Sequence, residues 1–510
     1  MTGFLQYTLI CTSIYSIILI YLLHKTTFRN NESVKPVLMR QNYYISLIFG
    51  LGILCIPVSF YITSVPYSYP SPDTYNYVIA SDIESWDSLP IDTYYKPYPI
   101  YVILSKFVSI ITGLNYSLSI SLLHIPSLLL VLLGIVLIIK FFSKERTSIE
   151  YTLLYTFIIV NSIYLYSYLN NPIPQVFSLW VFAFMIYTLL NNMRISFILF
   201  SALAIVHAGT IPFFLIISAI TLMRSITLNQ HNKWMRKLIL ATIPLILHIG
   251  YITYSSYNPY IINPLYDYLH IMYKIIFEPE KVGLVLFTTS AATGLQHQHP
   301  LLRALSLSSY LSLTVIGLYL IFLRKKEYPL IISSLCMLGI LLLFIGFAKY
   351  YIVTEIPSYS VARYVNVYGF YFLSIFNAYT LYLIFEKCKN RGICYAILII
   401  LSIGLLGSFT DPLTFPYKPS AGEVESMKII SQVIIPGIPI YSNTVHDHYY
   451  FMPQLYFWIY NEEKVPKLNY KDVLRAGVDE KYSDITFSTT FHYVYLLKST
   501  SPSLVIASFS

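Results

Sequence analysis

The sequence predicts an all-α polytopic membrane protein of about twelve transmembrane helices, with a large first outer loop and a small C-terminal α/β outer domain. Of the 510 residues, 56% are apolar and 11% charged, and the mean hydropathy is +0.62. Soluble chains carry roughly a quarter charged residues. The charges fall between apolar runs whose length suits a hydrocarbon core of about 30 Å. Lys and Arg also collect in alternate loops, which is the positive-inside pattern.

Spans are expected at 4–24, 43–63, 117–139, 149–166, 173–190, 195–207, 210–223, 238–257, 304–322, 328–347, 364–385 and 392–410. The first run, Phe4 to His24, is too long for a signal-peptide core and has no basic residue before it, so it is read as a retained helix. Basic loops set the orientation: Lys25 to Arg40, Lys140 to Arg146, Arg194, Arg224 to Lys237, Arg324 to Lys326 and Lys387 to Arg391 are placed in the cytoplasm. That accounts for the formal charge of +9 without a nucleic-acid partner.

The organisation that follows has four parts. Residues 1–63 hold two N-terminal helices, and 64–116 form the first outer loop with interfacial helices. Residues 117–410 form the bundle, with further outer loops at 258–303 and 348–363, and 411–510 form the extracytoplasmic domain. Tyr98 to Leu114 is apolar but carries Lys106 and follows two prolines, so it is expected to lie at the interface or to be partly re-entrant. Arg194 to Arg224 encloses two short apolar halves broken at His207-Ala208-Gly209-Thr210, because a single helix would put cations on both sides. After Thr410 an amphipathic stretch, Gly422 to Val433, accompanies β-like runs at Ile438 to Ser442 and Ser503 to Phe509.

The five cysteines lie in spans, at a span edge or in a cytoplasmic loop, and neither a CxxC motif nor zinc-type Cys/His spacing occurs. Ion-coupled carriers need ionisable groups at mid-membrane, whereas the expected spans contain no Asp, Lys or Arg and only Glu150 at an edge. His124 and His248 are intramembrane and have no carboxylate in their own spans, so each is read as a histidine hydrogen-bonded to a neighbouring helix rather than as a relay. Chemistry therefore belongs at the outer surface, where the acids are.

The first outer loop carries Asp73, Asp82, Glu84, Asp87 and Asp92, with Lys96 nearby. Most of these suit a solvated acidic loop. Asp73 differs, because it lies about ten residues past the second span and is followed by Tyr75, Tyr77 and Ile79, which can press on the headgroup layer.

Asp73-Thr74-Tyr75-Asn76-Tyr77, then Tyr95-Lys96-Pro97-Tyr98-Pro99-Ile100-Tyr101-Val102-Ile103-Leu104 closing in Ile111-Thr112-Gly113-Leu114, resembles the first outer loop of the GT-C superfamily of membrane glycosyltransferases, in its glycosyltransferase-39-like branch. There a proline-containing apolar stretch ending in a Thr-Gly turn follows the catalytic acid. Arg194 to Arg224 is similar to the pair of short helices that the superfamily places between cytoplasmic arginines, with His207 at a turn facing the outer cavity. The Trp-Trp-Asp motif of the oligosaccharyltransferase catalytic subunit is missing, which argues against transfer of a whole glycan to an Asn sequon.

The resemblance implies inverting transfer of a sugar from a polyprenyl or dolichyl phosphate to an acceptor on the extracytoplasmic face of the cell membrane. The acceptor class (protein, lipid or polysaccharide) stays open. Asp73 would be the base, a role worth about 10² to 10⁴ in rate. The competing role for Asp73 is metal ligation with Asp82 and Glu84, whose oxygens suit a hard divalent cation such as Mg or Mn.

For the phosphate, the third outer loop offers Lys349, Tyr359 and Arg363. Arg363 leads, because a guanidinium fork holds two phosphate oxygens; an arginine snorkelling to headgroups is the plain alternative. Lys96, His207, Tyr359 and Arg303 are expected to line the cavity. Gln296-His297-Gln298-His299-Pro300 and His446-Asp447-His448 admit a metal reading, but suit a polar loop and a folded edge equally. The 50 tyrosines suit sugar packing and membrane interfaces alike. The tyrosine-rich, disulfide-free style resembles archaeal membrane proteins, which implies dolichyl phosphate as the carrier. The alternatives are a non-enzymatic transporter or lipid flippase, and a scaffold whose outer domain binds a partner.

Overall fold

The structure is a computed structural model that describes residues 2–25, 100–114, 116–143, 174–191, 300–323, 328–352, 365–387 and 391–410, four short strands after 440, and isolated residues within 155–169 and 239–250. Eight helices are described: α1 (Thr2–Lys25), α2 (Ile100–Thr112), α3 (Tyr116–Phe142), α4 (Pro174–Leu190), α5 (Pro300–Leu323), α6 (Leu330–Ile352), α7 (Phe370–Lys387) and α8 (Arg391–Thr410). A π-helical turn, Val365–Gly369, leads into α7. Leu122–Phe142, Ala304–Leu323 and Val367–Phe385 are each long and apolar enough to cross a membrane.

Local signals set several ends. α4 and α5 begin on Pro174 and Pro300, where a missing N–H costs nothing and φ is already helical. α2 ends at Gly113, whose φ of 67° terminates the helix at little steric cost. Pro126 sits inside α3 with its ring exposed, an interruption that membrane helices tolerate where neighbours re-satisfy the backbone.

α7 is the centre of the bundle. The Val367–Phe385 window is 100% buried, against 56% for the window in α3 and 61% for that in α5. α5 and α6 lie along α7, α3 touches it, and the π turn reaches α4. Farther out, α1 lies along α5, and Leu9, Ile10, Ile14 and Ile17 of α1 are exposed. Such apolar exposure belongs to a lipid-facing helix.

Five polar residues recur at every third position into α7: Tyr368 in the turn, then Tyr371, Ser374, Asn377 and Thr380. Three residues fall about 60° short of a full helical turn, so this set winds around the helix and meets a different neighbour at each step. Tyr368 Oη bonds Ser178 Oγ of α4, and Tyr371 Oη donates to the Val131 carbonyl of α3 at 3.4 Å. Tyr310 Oη of α5 donates to the Phe370 carbonyl at 2.6 Å and meets Ser374 Oγ at 3.1 Å. Asn377 accepts from Thr314 Oγ1 at 3.0 Å and donates to the Tyr310 carbonyl at 3.2 Å. Thr380 Oγ1 meets Tyr328 Oη, just ahead of α6, at 3.2 Å.

These contacts also give direction. Tyr310, Thr314 and Gly317 meet successively later residues of α7, as do Val131 and Phe142 of α3 and Ser178 and Phe182 of α4, so α3, α4, α5 and α7 run the same way. α6 runs oppositely, since Gly339 meets Gly369 while Tyr328 meets Phe376 and Thr380. That alternation is the one required of the third, fifth, ninth and eleventh expected spans against the tenth.

In the C-terminal region, β1 (Ile440–Ser442) pairs in parallel with β4 (Leu504–Ile506). β2 (Ser483–Ser488) pairs antiparallel with β3 (Tyr493–Leu497), with an irregularity between Ile485 and Phe487. β1 and β4 fall within the two runs read as β-like, while the amphipathic stretch from Gly422 to Val433 lies outside the described residues.

A Cβ on Gly317 would sit 2.5 Å from Phe376 ring carbons and Thr380 Oγ1. Gly317→Val is therefore expected to destabilise by about 1–3 kcal/mol, read as a lower melting temperature in detergent. A variant as stable as the parent would contradict this packing of α5 on α7.

Candidate functional site

The end of the bundle at which α7 begins, its head, gathers the basic residues that the structure describes there. α5 keeps step with α7 through Thr314 on Asn377 and Gly317 on Phe376, so Arg303, in the first turn of α5, comes level with the π turn and its approach. α6 runs the other way, with Leu342 and Leu343 on Gly369. Lys349, in the last turn of α6, rises about 10 Å beyond that contact toward the head, at about 1.5 Å per residue. Two basic positions on two helices thus fall at about one level along the bundle, and in the sequence Arg363 precedes the π turn with one residue between.

Both were expected in outer loops, and both belong to helices instead. Pro300 starts α5 three residues before Arg303. α6 continues past the expected boundary at 347 to Ile352. Hydropathy ends a span at the first charge, whereas the hydrogen-bonded ladder continues through it into the polar zone.

Beneath this level lies a buried floor. Tyr101 of α2 packs edge-on against Phe177 of α4, with ring centroids 5.7 Å apart. The next residue, Ser178, bonds Tyr368 of the π turn, and Phe177 stacks edge-on with Trp180 at 5.0 Å. α2 places Tyr101 and Ser105 inward, while Ile103, Phe107, Ile110 and Ile111 are exposed.

His124 is buried and its Nε2–H donates to the Leu169 carbonyl at 2.7 Å, the interhelical bond expected of it. Among the described residues no group of three His, Cys, Asp or Glu side chains forms a metal site. Asp73, Asp82, Glu84, Lys96, His207, Tyr359 and Arg363 lie outside the described residues, as do His248, Gln296 to His299 and His446 to His448. The sequence reading missed the Ser178–Tyr368 pair and the π turn. The signal available for them was the third-residue polar rhythm from Tyr368 to Thr380 ahead of an otherwise apolar run.

No family model matches the chain, and neither does any curated protein. Among solved structures it is similar to the crystal structure of the Archaeoglobus fulgidus oligosaccharyltransferase in complex with Zn and sulfate, at 13% identity and a TM-score of 0.38. The match covers 84% of this chain and 56% of that one, so the chain spans little more than half of that protein's length.

His124→Phe strands the buried Leu169 carbonyl and is expected to lower stability by about 1–3 kcal/mol, while His124→Gln, which keeps an N–H donor, recovers part of the loss. Thermal melts of the two variants check this; an unchanged melting temperature for His124→Phe would remove the structural role.

Proposed function

We propose that the protein is an inverting membrane glycosyltransferase of the GT-C type, moving a sugar from a polyprenyl or dolichyl phosphate to an acceptor on the extracytoplasmic face. Asp73 takes the proton of the acceptor hydroxyl as that oxygen bonds the anomeric carbon from the face opposite the phosphate. The carbon–oxygen bond to phosphate breaks, and the polyprenyl phosphate leaves with both electrons. Arg363, with Arg303 and Lys349 beside it, holds the negative charge that builds on the departing phosphate.

The observation that supports this reading is that the backbone positions 303 and 349 fall at one level along the bundle, on two helices of opposite direction, near the π turn that Arg363 precedes in the sequence. In the expected topology that level is the outer one, where topology selects against Lys and Arg. Cations kept there against that preference suit an anionic ligand arriving from the bilayer.

A carrier or flippase is favoured less. The polar groups described in mid-bundle, Tyr310, Thr314, Tyr328, Ser374, Asn377 and Thr380, bond to one another or to backbone carbonyls. None of them is a charge able to couple transport to an ion. The acidic loop supplies Asp82 and Glu84 either as solvated residues or, with Asp73, as ligands for a divalent cation. Lys96, His207 and Tyr359 are assigned to the cavity wall.

Asp73→Asn is expected to lower transfer of radiolabelled sugar from a short polyprenyl phosphate donor by about 10² to 10⁴ while leaving the melting temperature unchanged. Near-normal turnover would discard the base assignment. Transbilayer movement of the donor without transfer by the parent protein would favour the carrier instead.

A further inference from the structure

α2 lies along α3 and is tied to its neighbours at both ends, and the two ties sit at different depths of the bundle. At its start Tyr101 packs on Phe177 of α4, with ring centroids 5.7 Å apart. At its end Ser109 Oγ donates to the Leu114 carbonyl at 2.9 Å, and Ser119 Oγ of α3 donates to the same oxygen at 3.5 Å. α3 and α4 run the same way, and a Cβ on Gly134 would meet that of Ala183, so Phe177, six residues before Ala183, is level with Leu128 of α3. A second route agrees: Tyr368 bonds Ser178, and Tyr371, three residues later, reaches Val131, which puts Ser178 level with Leu128.

From Leu128 to Ser119, α3 rises about 13 Å, and α2 has about 12 Å of helix between Tyr101 and Ser109 with which to cover that height. α2 therefore stands nearly parallel to the axis of α3 and runs against it. A helix lying across the bundle would bring Tyr101 to the level of Ser119. The apolar span of α3 begins at Leu122, so Tyr101 lies about 9 Å and Ile103 about 6 Å inside that edge, with Phe107 at it. Ile103, Phe107, Ile110, Ile111 and Leu114 recur at helical spacing as one exposed stripe, turned away from the buried Tyr101 and Ser105. Exposed Lys106 flanks the stripe at the depth of the edge, where its stem can carry the ammonium to headgroups.

We propose that α2 and the start of α3 form a helical hairpin standing upright in the leaflet at the head of the bundle, with the first turn of α2 deepest and its exposed stripe docked against the acyl chains. The depth names the occupant, because a stripe exposed beside the apolar span of α3 faces lipid. Backbone at that depth is tolerated where it is helical or buried in protein. α2 meets this with an unbroken helix whose first turn rests on α4. The head thereby shares a greasy wall with the bilayer instead of being screened from it by a helix laid flat on the surface.

The test uses the full chain in bilayers, with its five cysteines replaced by alanine and one spin label at Ile103→Cys, Phe107→Cys, Ile110→Cys or, on the exposed side of α3, Leu122→Cys. Depth is read from collision with oxygen against collision with a water-soluble nickel chelate. The upright hairpin predicts that depth falls by about 10 Å from position 103 to position 110, and that positions 107 and 122 agree within about 3 Å. Equal depths at the three α2 positions would overturn the hairpin, and three labels all open to the chelate would overturn the lipid contact. If the cysteine-free chain does not fold, Ile103→Trp and Ile110→Trp in the native chain decide. Lipids brominated deep in the chain are expected to quench the first more, and lipids brominated near the headgroup the second; the same ranking for both overturns the proposal.

Discussion

A helix enclosed on every side within a membrane gains nothing from leaving water, because lipid tails are as apolar as its neighbours. Its place has to be held by close packing and by hydrogen bonds, each worth only about 0.6 kcal/mol on average in such bundles. α7 meets that constraint with a spiral of polar side chains rather than a stripe. Tyr368, Tyr371, Ser374, Asn377 and Thr380 each reach a different helix or a different level of one; Gly339 and Gly369 let the backbones of α6 and the π turn approach, and Gly317 makes room for Phe376 and Thr380. Small terms that act in different directions fix rotation and register together, which no single strong contact could do.

The head depends on that register. Arg303 and Lys349 arrive at a common level only because α5 runs in step with α7 and α6 runs against it. A slip of one turn in either pair would separate them by about 5 Å along the axis. In the proposed reading the apolar windows and the basic helix ends divide the work: the bundle supplies the frame in the bilayer, and the chemistry is assigned to residues at the head.

Much of the frame was legible in composition and hydropathy. The expected spans at 117–139, 173–190, 304–322, 364–385 and 392–410 fall within a few residues of α3, α4, α5, the π turn with α7, and α8. Hydropathy reports which residues can sit in lipid but not which way they face, so the winding of the polar set around α7 and the burial of Tyr101 and Ser105 on α2 could not be read from it. Charge misled in a consistent manner at Arg303 and Lys349, both assigned to loops although the ladder runs through them. The acids proposed for the site, from Asp73 to Glu84, lie outside the described residues.

The central claim is that an isoprenoid-borne phosphate reaches the head of the bundle from the bilayer. A cryo-electron-microscopy map of the protein in nanodiscs containing polyprenyl phosphate tests it most directly. The account predicts phosphate density against Arg363, level with Arg303 and Lys349, with its chain running into lipid. Density at the opposite end of α7, or a head sealed from the bilayer, would contradict it.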